Sequence, residues 1–442
     1  MVELCTNVRT KQLVIFVVLF IGYATYSLNR KGVSLVLPEL LNSGLDKSDA
    51  GLIISSQNIA YAISKFLGGI LSDRLSSRLL FGFGLLLSGT ATIIFGLSTQ
   101  SVTIFSVLWF CNGFAQGVGW PSCAKVLRHW YSPDQFGTFW SLLSASANIS
   151  GGLSPFVAAF ITINYGWRMT LILFGGVSFL MSAMAFLVIV DKPEDIGIAP
   201  INPNVTPTKN DKKDSKQTKS NITYKDLLTS PFIWLISFSY MVVYAAKTSA
   251  CDWGQMYLIE ERHRSPLVGS SFTSSVESGG FFGGVIAGYL TDLILRRASN
   301  GSSTKTNSSA RLPVATIMML IVALCLHTLR FHVHEMTSHL FITGLGFMLG
   351  CALYGPIAIF GVMASESAPS HLSGTSHAIV ALAANVGAII SGLPFSLLAK
   401  RYGWGEVFFL LELVTGATVL IMLFGHRIQP NYGASKQKSK VQ

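Results

Sequence analysis

IGYATYSLNRKGVSLVLP, residues 21–38, reads as membrane-spanning helix except at Arg30 and Lys31. A charge near the centre of a bilayer costs about 2.5 to 3.5 kcal/mol even on insertion scales. Either the helix ends at Asn29 and both basic side chains snorkel to the interface, or the cation belongs to a site. The surrounding chain bears on that choice. Its 442 residues are 50% hydrophobic and 12% charged, and the mean hydropathy is +0.51. Soluble domains carry about 25% charged residues, so the composition is that of a polytopic membrane protein and excludes a soluble enzyme.

Apolar segments are centred near residues 20, 60, 88, 110, 150, 178, 240, 282, 320, 350, 386 and 415. Each has about the 20 residues that a bilayer requires. The expected fold is therefore all-α, with twelve transmembrane helices. The long hydrophilic stretch after Asp191 has the composition of a solvated linker. We expect a six-helix half over residues 1–190, a linker over 191–228, a second half over 229–428 and a tail over 429–442. Basic residues gather at alternate loops, among them Arg9 and Lys11, Arg74 and Arg78, Lys125 and Arg128, and Arg296 to Arg311. The positive-inside bias then places both termini and the linker in the cytosol. The net charge of +11 reflects this topology, and no nucleic-acid partner is expected. The six cysteines have no paired or metal-ligand spacing, and neither a metal nor a cofactor is expected.

The halves repeat. GGILSDR at 68–74 is echoed by AGYLTDL at 287–293, which aligns Asp73 with Asp292. GFAQGVGWP at 113–121 is echoed by GFMLGCALYGP at 346–356. Two similar six-helix halves about a linker are the organisation of a secondary transporter. At nearly the same offset, Arg30 falls on Lys247, inside the apolar run PFIWLISFSYMVVYAAKTSAC. Snorkelling does not predict one cation at the same point of each half, so both become candidate ligands of an anion. Arg offers a planar fork to a phosphate and Lys a point charge. Spacing alone leaves phosphate, sulfate and dicarboxylate open.

YSLNRKGVSLVLP, LDKSDAGLIISSQNIAYAISKFLGGILSDR, GWPSCAKVLRHWY and KTSACDWGQMYL resemble the organophosphate:phosphate antiporters of the major facilitator superfamily. The resemblance covers the membrane portion and fades in the linker and over residues 299–309. It implies two pseudo-symmetric halves and obligatory exchange of glucose 6-phosphate for inorganic phosphate across the endoplasmic-reticulum membrane. A luminal glucose-6-phosphatase would be the functional partner. Arg30 and Lys247 would hold the phosphoryl group, and Lys65 in YAISKF matches a family lysine. Bacterial members carry a His before the Asn of a helix 5 phrase where this chain has Ala147 before Asn148.

Other polar or aromatic residues in the apolar segments admit two readings each. Tyr26 and Tyr244 precede the cations by one helical turn, as anion donors or as aromatic-belt residues. Lys31 adjoins Arg30. Asn29 and Asn148 are candidate substrate amides or interhelical glue. Trp120 is a candidate wall against a sugar ring or a packing residue, and His377 a hydroxyl partner or a satisfied core histidine. Lys65 could also pair with a carboxylate as a gate. Asp73, Arg74 and Asp292 read as conformational-loop residues. Glu277 has no evident partner in the sequence. Lys438 and Lys440 in the terminal KSKVQ fit a K-x-K-x-x retrieval signal for the endoplasmic reticulum. Rival readings are another phosphate ester, such as glycerol 3-phosphate or phosphoenolpyruvate, a membrane phosphatase, which would need a nucleophile, and a sensor that binds without moving its ligand.

Overall fold

The computed structural model describes residues 2–201, 227–300, 307–368 and 373–428. The linker over 202–226 and the tail with Lys438 and Lys440 lie outside the described residues. So do the side chains of Asp73, Arg74 and Asp292, although their backbones are helical. The described chain holds sixteen α-helices. The first eight are α1 (Val2–Leu35), α2 (Leu37–Asn42), α3 (Lys47–Arg74), α4 (Ser77–Leu97), α5 (Val102–Gln116), α6 (Gly119–Trp130), α7 (Pro133–Tyr165) and α8 (Trp167–Val188). The rest are α9 (Pro231–Asp252), α10 (Gly254–Glu260), α11 (Pro266–Asn300), α12 (Asn307–Phe331), α13 (His339–Glu366), α14 (Ser373–Ser391), α15 (Leu393–Tyr402) and α16 (Trp404–Gly425).

Among the described residues, ten helical spans are long and apolar enough to cross a membrane, against twelve expected. The two further expected segments, near 60 and 282, are α3 and α11. Both are long but polar, with Gln57, Asn58 and Lys65 on one and Ser274, Ser275 and Glu277 on the other. Helix starts carry the expected local chemistry. Asp191 accepts from the backbone N–H groups of Ser77 at 3.1 Å and Arg78 at 2.7 Å, placing an anion at the positive end of α4. Ser338 caps α13 by accepting from the Phe341 N–H.

The chain divides into two compact units, Met1–Leu40 with Ser56–Asn221, and Leu41–Ser55 with Ile222–Gln442. Residues 41–55 thus pack with the second unit rather than with the helices that flank them in sequence. Hydrogen bonds and charge explain this: the Leu393 N–H donates to Ser55 Oγ at 2.6 Å, Lys47 pairs with Glu260, and Lys400 pairs with Asp46. The Lys400 contact holds the Asp46 carboxyl below the usual carboxylate range.

Within each unit the pairings correspond. In the first, α1 packs on α7 and α4 on α8; in the second, α9 packs on α14 and α12 on α16. Ser56 and Gln57 tie α3 to α5, and α11 lies along α13 over much of its length. The α11/α13 contact is close because glycines face backbone. A Cβ on Gly279 or Gly283 would run into the carbonyls of Phe347 or Cys351, and one on Gly350 into that of Val276. Lipid offers no hydrophobic drive for helix association, so close packing of small residues supplies it.

Gly350→Ala should therefore lower the thermal unfolding midpoint of the purified protein, with overpacking costing about 1 to 3 kcal/mol. Gly344→Ala, where a Cβ meets nothing within 4 Å, is the control that should leave the midpoint in place. Equal midpoints for the two variants would show that the helices can separate freely.

Candidate functional site

In the first unit the site is built from α1, α3 and α5. Arg30 Nε donates to Gln116 Oε1 at 3.0 Å, and its guanidinium lies over the Tyr61 ring, 4.2 Å from the centroid. Lys65, one turn beyond Tyr61, places its Nζ 5.8 Å from the same ring. Two cations therefore share one aromatic ring. Gln116 is itself fixed, donating to Asn112 Oδ1 at 2.6 Å and Ser88 Oγ at 3.1 Å. Asn112 is fully buried; it accepts from Gln57 at 3.0 Å and donates to Ser88 and Thr92. A buried amide network of this kind holds the acceptor that aims Arg30.

The neighbouring candidates are placed differently from one another. Tyr26 is fully buried and donates its hydroxyl to the Phe81 carbonyl at 2.8 Å. It braces α1 against α4, and the ring beneath the guanidinium is that of Tyr61. Asn29 is also fully buried, with Nδ2 donating to Phe174 O at 3.3 Å and to Ser178 Oγ on α8, so it acts as interhelical glue. Trp120 is half-buried between Tyr23 and Trp140, with ring centroids 5.0 and 4.8 Å away. Lys31 and Asn148 are both half-buried. The Ala147 carbonyl, next to Asn148, accepts from Ser27 on α1 at 3.4 Å.

In the second unit, Lys247 on α9 has a partner that sequence reasoning missed. Its Nζ lies 3.9 Å from Glu277 Oε1 on α11, and Glu277 is only 4% exposed. Cys251 Sγ donates to the same oxygen at 3.3 Å, and the Tyr354 hydroxyl donates to Glu277 Oε2. Lys247 Nζ also lies 5.4 Å from the Tyr354 centroid. The carboxylate is placed as a counter-ion to the ammonium within the same unit. Tyr244 is half-buried against Tyr240, with ring centroids 5.6 Å apart. His377 is exposed on α14, with Nδ1 3.1 Å from the Gly361 carbonyl.

Two cations stand at matching positions of repeated halves, Arg30 held by α3 and α5 and Lys247 by α11 and α13. Against known families, the Major Facilitator Superfamily model matches residues 19–392. The chain belongs to that superfamily. Within it, the relatives place the chain in the sugar/organophosphate–phosphate transporter family. Membrane sensor protein UhpC of Escherichia coli is 31% identical, over 92% of this chain and 91% of its own length. The probable hexose phosphate transport protein of Chlamydia pneumoniae is 29% identical, over 96% and 92%. Among solved structures, a bacterial homolog of the human lysosomal transporter Spinster matches with a TM-score of 0.72. It covers 95% of this chain and 98% of that one at 11% identity, a likeness of fold alone. Membership of this family places the protein with transporters rather than enzymes.

Gln116→Leu should destabilise the first unit measurably, since it removes a hydrogen bond to a charged group worth about 1.5 to 3 kcal/mol. Thermal unfolding in detergent reads this. A wild-type midpoint in Gln116→Leu would show that the network does not hold Arg30.

Proposed function

We propose that the protein exchanges glucose 6-phosphate for inorganic phosphate by alternating access, carrying the ester from the cytosol to the endoplasmic-reticulum lumen. Arg30 and Lys247 are the phosphoryl ligands in this reading. The observation that carries it is the pair of matched cations: Arg30 is aimed by Gln116, and Lys247 rests on an internal carboxylate. A phosphate dianion can compete with Glu277 for Lys247, and Arg30 supplies the bidentate geometry that phosphate oxygens match. Arrival of substrate thus exchanges one counter-ion of Lys247 for another. The fall in barrier that couples phosphate to ester needs no proton or sodium site.

The relatives support two roles. A hexose phosphate transport protein favours carriage of a phosphorylated sugar. A membrane sensor protein of comparable identity favours a second reading, in which ligand is bound and reported without flux. Both use the same anion chemistry, and movement of label across a bilayer separates them. For location, Lys438 and Lys440 are read as the retrieval signal, with the tail and linker cytosolic and a luminal glucose-6-phosphatase consuming the delivered ester.

The deciding experiment is exchange in proteoliposomes offered a panel of labelled phosphate esters. Phosphate-loaded vesicles should take up glucose 6-phosphate rapidly and phosphate-free vesicles slowly. Binding without uptake would support the sensor instead. Arg30→Lys should insert normally yet lose at least about tenfold in exchange, because one charge-assisted hydrogen bond contributes about 1.5 to 3 kcal/mol. Wild-type rates in that variant would remove Arg30 from the site.

Glu277→Gln should lower the apparent KM for phosphate by about tenfold, since Lys247 no longer has a competing anion of its own. An unchanged KM in a well-folded variant would mean that Glu277 does not compete. A Lys438→Ser, Lys440→Ser double variant should appear in part at the cell surface while exchanging normally in vesicles. Unchanged localisation by surface labelling would assign the tail no address.

A further inference from the structure

Helix α3 is shared between the two compact units. It runs unbroken from Lys47 to Arg74 and carries no proline, yet residues 47–55 belong to the second unit and residues 56–74 to the first. Different kinds of contact hold the two parts. On the first unit α3 lies against the backbone of α5: a Cβ on Gly113 would stand 2.4 Å from the Gln57 carbonyl oxygen, and one on Gly117 2.5 Å from the Lys65 amide nitrogen. Ser56 Oγ donates to the Ser106 carbonyl at 2.9 Å, and Gln57 to Asn112 Oδ1 at 3.0 Å within the buried amide network. Parting these helices would leave buried polar groups unpaired and forfeit close packing.

The start of α3 is held on the second unit by charge at the surface. Lys400 pairs with Asp46, their side chains 51% and 42% exposed, and Lys47 pairs with Glu260, 25% and 29% exposed. Lys400 Nζ also lies 3.4 Å from Ser48 Oγ, and Lys47 Nζ lies 5.6 Å from the centroid of the Trp404 ring. Exposed ion pairs add little net stability, because water and salt take over both charges when they part. Deeper in, the Leu393 N–H donates to Ser55 Oγ at 2.6 Å, and both groups can pass to water once the charged end has opened.

We propose that residues 46–55 form a detachable clasp, which lets go of α10 and α15 and rebinds them once in each transport cycle while the rest of α3 stays on α5. This rests on the reading of the protein as an alternating-access exchanger, in which one unit moves against the other. A helix shared between moving units must bend or release one set of partners. Without a proline to bend at, α3 releases the weaker set, and that set is the ion pairs of Asp46 and Lys47. The clasp therefore sets how readily the carrier leaves the state described above, without touching the phosphoryl ligands.

A full-length Ser55→Cys, Gly392→Cys double variant, oxidised with copper phenanthroline, tests this. A Cβ on Gly392 would lie 3.2 Å from that of Ser55, close to the separation a disulfide spans. In proteoliposomes the crosslinked protein should lose exchange of labelled phosphate and regain it on reduction. Equal exchange in both redox states would overturn the proposal, because residues 46–55 would then be a fixed part of the second unit. A second measurement needs no flux. Ser55 is 4% exposed, so in a Ser55→Cys single variant N-ethylmaleimide reaches the thiol only when the clasp is open, and mass spectrometry of that peptide reads the rate. Lys400→Glu should raise the rate by about fivefold, the factor that an exposed pair supplies at the upper end of its range, and adding Asp46→Lys should bring it back. A rate indifferent to the charge at position 400 would also overturn the clasp. Absence of exchange in the wild type would instead remove the transport reading, and the maleimide rates would still decide whether the clasp opens.

Discussion

A cation inside an apolar helix bundle must be partnered, and that requirement organises much of this molecule. Removing one member of a buried ion pair typically costs about 3 to 5 kcal/mol, because the remaining charge is left in a low-dielectric surrounding. Lys247 meets the requirement with Glu277. Arg30 meets it with an amide oxygen and an aromatic face. The two solutions differ in consequence. A carboxylate opposes the charge of its partner, whereas an amide oxygen and an aromatic ring orient a guanidinium.

Positioning these partners depends on how closely the helices approach. Glu277 stands on α11, whose Gly279 and Gly283 lie against the backbone of α13, the helix that carries Tyr354. Larger residues there would push the helices apart and carry the Tyr354 hydroxyl away from the carboxylate. In the first unit the same task falls to the bonds of Gln57, Asn112 and Gln116. Small residues and buried amides are thus two routes to one end, a rigid frame behind a charged group.

The apolar segments, the repeat and the matched cations were legible in the sequence, because length, hydropathy and spacing are properties of the chain alone. Partners were not. Glu277 lies thirty residues from Lys247 on another helix, and no periodicity links them. Tyr26 shares a helical face with Arg30 by spacing, yet its hydroxyl turns to Phe81, while Tyr61 arrives from α3. For Asn29, the choice between substrate amide and interhelical glue fell to the second, since Phe174 and Ser178 stand opposite it. The partners of residues 41–55 were hidden for a related reason. Residues 41–55 follow α1 in the chain but find their ion pairs and hydrogen bonds on α10, α15 and their surroundings, and contacts of that range leave no local trace.

The paired lysine also alters what an empty carrier costs. A bare cation resists any conformation that excludes water, through its desolvation cost. Glu277 offsets that cost at Lys247. In the proposed exchange, coupling would then depend on the competition at Lys247. An anion too weak to displace the carboxylate leaves the ammonium where it is, whereas a phosphoryl dianion supplies enough charge to take its place. In the proposed exchange, an internal counter-ion at Lys247 would favour doubly charged ligands over a monoanion of the same shape.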